Sequence, residues 1–68
     1  MQNKLEQIRK QYNYSQEKLA IKLKTTRQTI ISIEKGRYSP SLPLAMKIAK
    51  LFNLKVEDIF FLEEDHDE

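Results

Sequence analysis

The stretch SQEKLAIKLKTTRQTIISIEKG, residues 15–36, decides the fold. Ser15 and Thr26 both have the hydroxyl that suits a helix N-cap, and each is followed by apolar residues at helical spacing. Only residues 24–25 separate the two predicted helices, and so short a connection forces a steep angle between them. The inward-facing positions of the two helices are Leu19, Ala20, Leu23, Ile30 and Ile33.

Another helix is predicted before this stretch, and a glycine closes the stretch itself. Leu5, Ile8 and Tyr12 lie on one face at helical spacing, and residues 13–14 end that first helix. Gly36 fits the left-handed position that commonly follows a helix C-terminus. The first half of the chain therefore predicts three consecutive helices.

The second half of the chain predicts two more helices. Ser41 caps the fourth helix, with Pro43 in its first turn, where a missing N–H costs nothing. Asn53 ends this helix, and residues 56–60 form a short last turn. Since no segment shows sustained strand alternation, the fold class is all-α with five compact helices; a short C-terminal strand at 60–62 stays open. The apolar face of the fourth helix is formed by Leu44, Ile48, Leu51 and Phe52.

Composition limits the classes of function. The 68 residues allow one domain, assigned to residues 1–62, followed by an acidic tail at residues 63–68. The sequence has no cysteine, and its one histidine, His66, lies in the acidic tail, so we expect no disulfide, metal or cofactor. No nucleophile–base set indicates an enzyme, and nothing indicates a small-molecule ligand. No apolar run is long enough for a membrane span or an export signal, which favours a cytoplasmic protein.

Charge is divided unevenly along the chain. Residues 1–37 carry nine Lys or Arg against three acidic residues, whereas residues 38–68 carry three against seven. A basic half is the electrostatic signature expected of a nucleic-acid binder. An ordinary solvated surface would also explain it, and charge alone leaves the two interpretations open.

The steep angle between the two helices of residues 15–36 is the geometry of a helix-turn-helix, whose second helix enters the major groove of DNA. The first turn of that second helix exposes Arg27 and Gln28. Arginine can bind guanine O6 and N7, and glutamine can bind adenine N6 and N7, both through two hydrogen bonds. The pattern therefore predicts double-stranded DNA as the partner.

Three linked motifs carry a resemblance to a known family: SQEKLA at residues 15–20, TRQTI at 26–30 and IEKGRYSPSL at 33–42. Together they resemble the Cro/phage-repressor helix-turn-helix family, also called the xenobiotic response element type. The resemblance spans residues 5–59 and is closest to short stand-alone repressors. It implies a sequence-specific DNA-binding transcriptional regulator.

The family's roles carry over by position in this sequence. The expected base-contacting residues are Thr26, Arg27, Gln28 and Ser32. The expected phosphate-contacting residues are Gln16, Thr29, Lys35, Arg37, Tyr38 and Ser41. The resemblance also implies a partly buried structural ion pair between Arg9 and Glu34.

Three positions leave questions open. Many relatives have glycine where this chain has Lys24, and a positive φ there would cost lysine about 1 kcal/mol relative to glycine. Ile31 either touches a thymine methyl group or packs beside Leu42. Tyr38 either packs its ring on the helices or reaches a phosphate.

The adjacent residues Phe60, Phe61 and Leu62 follow the last helical turn. A helix cannot bury all three on one face, and so small a domain has little core to cover them. Because exposed apolar clusters mark interfaces, we expect these residues to form a homodimer contact, the alternative being that they wrap the core of the monomer. The sequence therefore predicts a repressor that binds a two-fold operator as a homodimer. An antitoxin that binds its own promoter and an interaction module without DNA binding are the alternatives.

Overall fold

The computed structural model describes residues 1–63 and contains five helices and two short strands. The five predicted helices are confirmed, and residues 60–61 form the strand that the sequence left open. Only the first residue of the predicted acidic tail, Glu63, lies within the described residues. In chain order the elements are β1 (Gln2–Asn3), α1 (Leu5–Gln11), α2 (Gln16–Leu23), α3 (Arg27–Glu34), α4 (Leu42–Phe52), α5 (Val56–Ile59) and β2 (Phe60–Phe61).

Three helices begin at the hydroxyl residues that the sequence marks as caps. The side-chain oxygens of Ser15, Thr26 and Ser41 each accept a hydrogen bond from the backbone N–H three residues later, at 3.0–3.2 Å. Each bond satisfies one of the backbone donors that the first turn of a helix leaves unpaired. Local sequence therefore sets where α2, α3 and α4 start.

Four residues with positive φ end the helices or follow them. Asn13, Lys24 and Asn53 have φ values of 58–60°, and Gly36 has φ 77°. Asparagine and glycine are the residues that adopt this conformation most readily, whereas lysine is not. The open question about Lys24 is thus answered, since this lysine does have a positive φ. A Cβ at Gly36 would also lie 3.3 Å from the backbone oxygen of Met1. Both the positive φ and the close backbone therefore favour glycine at this position.

A single hydrophobic core joins all five helices. Helix α2 packs chiefly against α3, and the small side chain of Ala20, 3% exposed, lies on that inner side. Ile30 and Ile33 are fully buried and attach α3 to the core, which leaves its opposite face free. The buried hydrophobic residues are Leu5, Ile8, Leu19, Ala20, Leu23, Ile30, Ile33, Ala45, Ile48, Ala49, Phe52, Ile59 and Phe60.

A two-stranded sheet connects the two ends of the described chain. Strands β1 and β2 pair antiparallel, with Asn3 opposite Phe60. The Asn3 side chain also donates to the Ile33 carbonyl at 2.9 Å and accepts from the Leu5 N–H at 3.0 Å. Strand β1, which the sequence did not predict, thus holds together the start of α1 and the last turn of α3.

The structure corrects the prediction for residues 60–62. We expected all three to be left over from the core, and this is wrong for Phe60, which is 8% exposed. Because successive side chains of a strand face opposite sides, the extended backbone of β2 buries Phe60 and leaves Phe61 half-buried. Leu62 is 83% exposed. The homodimer contact stays a prediction, and of its three residues only Phe61 and Leu62 keep exposed surface.

Candidate nucleic-acid interface

The free face of α3 begins with two exposed polar side chains. Arg27 and Gln28 occupy the first turn and are both exposed, as is the capping residue Thr26. Ser32 lies one turn later and is half-buried. The predicted base-contacting residues therefore do share one side of α3, opposite the buried isoleucines.

Two hydroxyl groups order the start of this face. The Oγ1 atom of Thr26 accepts from the Thr29 N–H at 3.1 Å and lies 2.9 Å from the Thr29 hydroxyl. The cap thus occupies part of the hydrogen-bonding capacity of Thr26. The unpaired backbone N–H groups at the beginning of α3 remain at its positive end, where an anion is favoured.

The segment after α3 adds exposed basic and polar groups. Lys35, Arg37 and Ser41 are exposed, and Ser41 uses its hydroxyl oxygen to cap α4. Tyr38 is 46% exposed and lines a shallow depression with Gln28, Thr29 and Ser32. Tyr38 therefore borders the free face of α3 and is partly open to solvent, so both alternatives for its ring stay open.

Ile31 is half-buried on α3, and Leu42 is 68% exposed. Any packing between them therefore leaves most of Leu42 uncovered. The thymine-methyl alternative for Ile31 stays a prediction.

A buried ion pair supports α3 from behind. Nε of Arg9 donates to Oε2 of Glu34 at 2.6 Å, and Nη2 donates to Oε1 at 3.2 Å. The two side chains are 8% and 4% exposed. A third bond, from Nη1 of Arg9 to the Tyr14 carbonyl at 2.9 Å, fixes the guanidinium to the turn between α1 and α2. The structure thus contains the ion pair that the resemblance implied, joining α1 to the end of α3.

Sequence reasoning missed a further contact of this ion pair. Nε2 of Gln16, at the start of α2, donates to Oε1 of Glu34 at 3.1 Å. Gln16 is half-buried and lines an open recess together with Arg9 and Arg27. No local pattern links residues 16 and 34; only the α2–α3 packing brings them together.

Positive charge dominates this surface. Arg27, Lys35 and Arg37 are exposed, and the only acidic residue of α3, Glu34, is paired with Arg9. Such a surface attracts a polyanion at long range. Within residues 1–63, His, Cys, Asp and Glu form no group of three that suits a metal ion, and no helix there is long and apolar enough to span a membrane.

The helix-turn-helix family model HTH_3 matches residues 5–59. The chain belongs to this helix-turn-helix family. It is 60% identical over 65 residues to an uncharacterised HTH-type transcriptional regulator of Methanocaldococcus jannaschii, covering 96% of this chain and 98% of the relative. It is also 53% identical over 66 residues to the uncharacterised HTH-type regulator YgzD of Bacillus subtilis, covering 97% and 100%.

A solved structure shares the fold. The restriction-modification controller protein C.AhdI of Aeromonas hydrophila matches with a TM-score of 0.74 and 26% identity, over 84% of this chain and 83% of that one. The family, the relatives and the fold agree that this chain is a DNA-binding regulator of the phage-repressor type and not an enzyme. The individual DNA-contacting residues stay predictions.

Proposed function

We propose that this protein is a transcriptional repressor that binds a two-fold operator as a homodimer. The observation that carries the proposal is the free face of α3, where Arg27 and Gln28 stand exposed in the first turn above fully buried Ile30 and Ile33. A rigidly anchored helix with donor-rich side chains at its N-terminal end suits major-groove recognition.

We assign the base contacts and the phosphate contacts to different parts of this surface. Thr26, Arg27, Gln28 and Ser32 are proposed to meet base edges, because they lie on or cap the free face of α3. The surrounding residues are proposed to hold the phosphates and thereby fix the register of the helix in the groove. These phosphate-contacting residues are Gln16, Thr29, Lys35, Arg37, Tyr38 and Ser41.

A second copy is proposed because one short helix reads few base pairs. Each good bidentate contact contributes about 1–3 kcal/mol of discrimination, so two copies on two half-sites about 34 Å apart double the readout. Leu62, 83% exposed, and half-buried Phe61 supply the contact between copies. They border an apolar recess that also includes exposed Leu42, and covering that recess would remove apolar surface from water.

Repression follows from occupancy alone. A dimer bound across a promoter blocks it physically, and this requires no surface beyond the DNA-contacting face and the contact between copies. A reporter gene placed under a promoter that carries the operator tests whether the protein represses or activates transcription. Added protein should lower the expression of the reporter.

Selection of binding sites from random-sequence duplexes tests the DNA-binding part of the proposal. The selected sites should show two inverted half-sites. Arg27→Ala should then weaken binding by about 1–3 kcal/mol and relax preference at one base position of each half-site. Lys47→Ala, at an exposed position of α4, is the matched control and should leave preference unchanged. An equal loss on every sequence for Arg27→Ala would place that side chain on phosphate only.

Sedimentation tests the dimer separately. Phe61→Glu and Leu62→Glu should both shift the protein toward the monomer, and the Leu62 variant removes no buried contact of the fold. Ile21→Glu, at a position 69% exposed on α2, is the control and should leave the mass unchanged. Wild-type protein that sediments as a monomer with and without operator would refute the homodimer.

A further inference from the structure

An open recess beside the C-terminal end of α3 brings the start of the acidic tail next to a basic residue. Lys35, Gly36 and Glu63 line this recess together with residues 1–3. Glu34 also borders it, but its carboxylate is paired with Arg9. Lys35 is exposed and forms no ion pair among residues 1–63. Glu63 therefore lies beside a lysine whose charge the rest of the described chain leaves unpaired.

The acidic tail has a density of negative charge close to that of a DNA strand. Five of its six residues are acidic, the exception being His66. An extended peptide advances about 3.3–3.6 Å per residue. One strand of DNA presents one phosphate per about 3.4 Å of helix axis. The tail can therefore offer carboxylates at nearly the spacing at which DNA offers phosphates.

The acidic tail is long enough to reach beyond Lys35. The five residues after Glu63 span at most about 18 Å when extended. Arg37 is two residues from Lys35 in the chain, is exposed, and also forms no ion pair among residues 1–63. A segment tethered this closely acts at an effective concentration of about a millimolar or more, so that even the weak ion pairs of a protein surface form at low salt.

We propose that the acidic tail is an intramolecular competitor of DNA. Its carboxylates bind Lys35 and Arg37, and they must leave before phosphates bind there. The proposal rests on the proposed phosphate contacts of these two residues. It gives the C-terminal residues a regulatory role that the contact between copies does not supply. Because dissolved ions screen exposed charges, the competition is strongest at low salt.

Neutralising the acidic tail tests the competition. The probe is the duplex that the wild-type protein selects, at about 50 mM salt. The variant should bind it about three- to tenfold more tightly, the size expected of a few exposed ion pairs. Its advantage should shrink as salt is raised, and sedimentation should show the same mass for both proteins. The variant carries Glu63→Gln, Glu64→Gln, Asp65→Asn, Asp67→Asn and Glu68→Gln.

A double-mutant cycle separates this contact from general repulsion between the acidic tail and DNA. In a background with Lys35→Gln and Arg37→Gln, neutralising the tail should lose most of its effect, because the partners of the tail are gone. Lys47→Gln, at an exposed position of α4, is the matched control background and should keep the full gain in affinity. Equal gains in the two backgrounds would overturn the proposal, as would the absence of any gain at low salt.

The free protein gives a readout that does not depend on DNA. A second variant keeps Glu63 and neutralises only the four acidic residues after it. In a proton–nitrogen correlation spectrum without DNA, the amide signals of Gly36 and Arg37 should shift in this variant, whereas that of Lys47 should not. Unchanged signals would overturn the contact of the tail. Shifted signals, together with unchanged DNA affinity on replacing Lys35 and Arg37, would instead refute the proposed phosphate contacts and with them the competition.

Discussion

Replacing Lys24 by glycine should stabilise this protein. Lys24 ends α2 with φ 58° and ψ 43°, and its side chain is exposed. The left-handed conformation costs a residue with a Cβ about 1–2 kcal/mol, which glycine does not lose. The Lys24 N–H donates to the Ile21 carbonyl at 3.1 Å, and glycine keeps that bond.

The expected gain is smaller than the full strain. Glycine loses about 0.5–1 kcal/mol more chain entropy on folding, so the net stabilisation should be about 0.5–1 kcal/mol. For a domain of this size that raises the melting temperature by roughly 2–8 °C. Urea denaturation at fixed protein concentration measures it as a higher midpoint with an unchanged slope. Operator affinity should not change, because the turn already has the conformation that glycine prefers.

Lys22→Gly is the control, since position 22 is exposed and lies within α2. There glycine should destabilise by about 1 kcal/mol, because a helix interior disfavours it. A loss of stability in Lys24→Gly comparable with that of the control would refute the reasoning, since strain at position 24 would then contribute nothing.

Three further predictions concern charged side chains of the structure. Glu34→Ala should destabilise by about 3–5 kcal/mol because it leaves the Arg9 charge buried without a partner, whereas replacing both residues by methionine should recover most of that loss in thermal unfolding. Arg37→Gln should reduce the slope of log affinity against log salt by about 0.9, measured by fluorescence anisotropy, and an unchanged slope would place Arg37 away from phosphate. A hydrogen bond from Lys10, together with its charge, lowers the pKa of exposed Glu6 below the usual 4.5. A lowered folded pKa contributes stability above pH 4.5 that is lost as pH falls through the folded value, so Lys10→Gln should lower the urea midpoint slightly at neutral pH and not in acid.

Local chemistry allowed most of the helices to be predicted. The hydroxyl caps at Ser15, Thr26 and Ser41 act within three residues of themselves, so their effect is visible in sequence. The conformation of Lys24 was not settled in this way, because the sequence left open whether its φ is positive, and only the structure shows the left-handed value. The free face of α3 was also predictable, because helical periodicity separates Ile30 and Ile33 from the polar side.

The remaining features depend on residues that are distant in sequence. Strand β1 has only two residues and exists because β2 pairs with it. Two residues are too few to show an alternation of apolar and polar side chains, so the sequence did not predict this strand. The sequence predicted that the small core would leave Phe60 uncovered. This was wrong because Phe60 is buried in an extended strand that pairs with β1. The bond from Gln16 to Glu34 required α2 to pack on α3, and only this packing placed the predicted ion pair next to a side chain of α2.

Sequence by itself determined where the helices begin and end and which face of α3 is free, because caps, periodicity and turn residues act over a few positions. Tertiary structure alone decided how that face is braced from behind and which C-terminal side chains stay exposed. Those outcomes depend on contacts between residues that are dozens of positions apart in the sequence. Such contacts form, and contribute to stability, only when the core has formed.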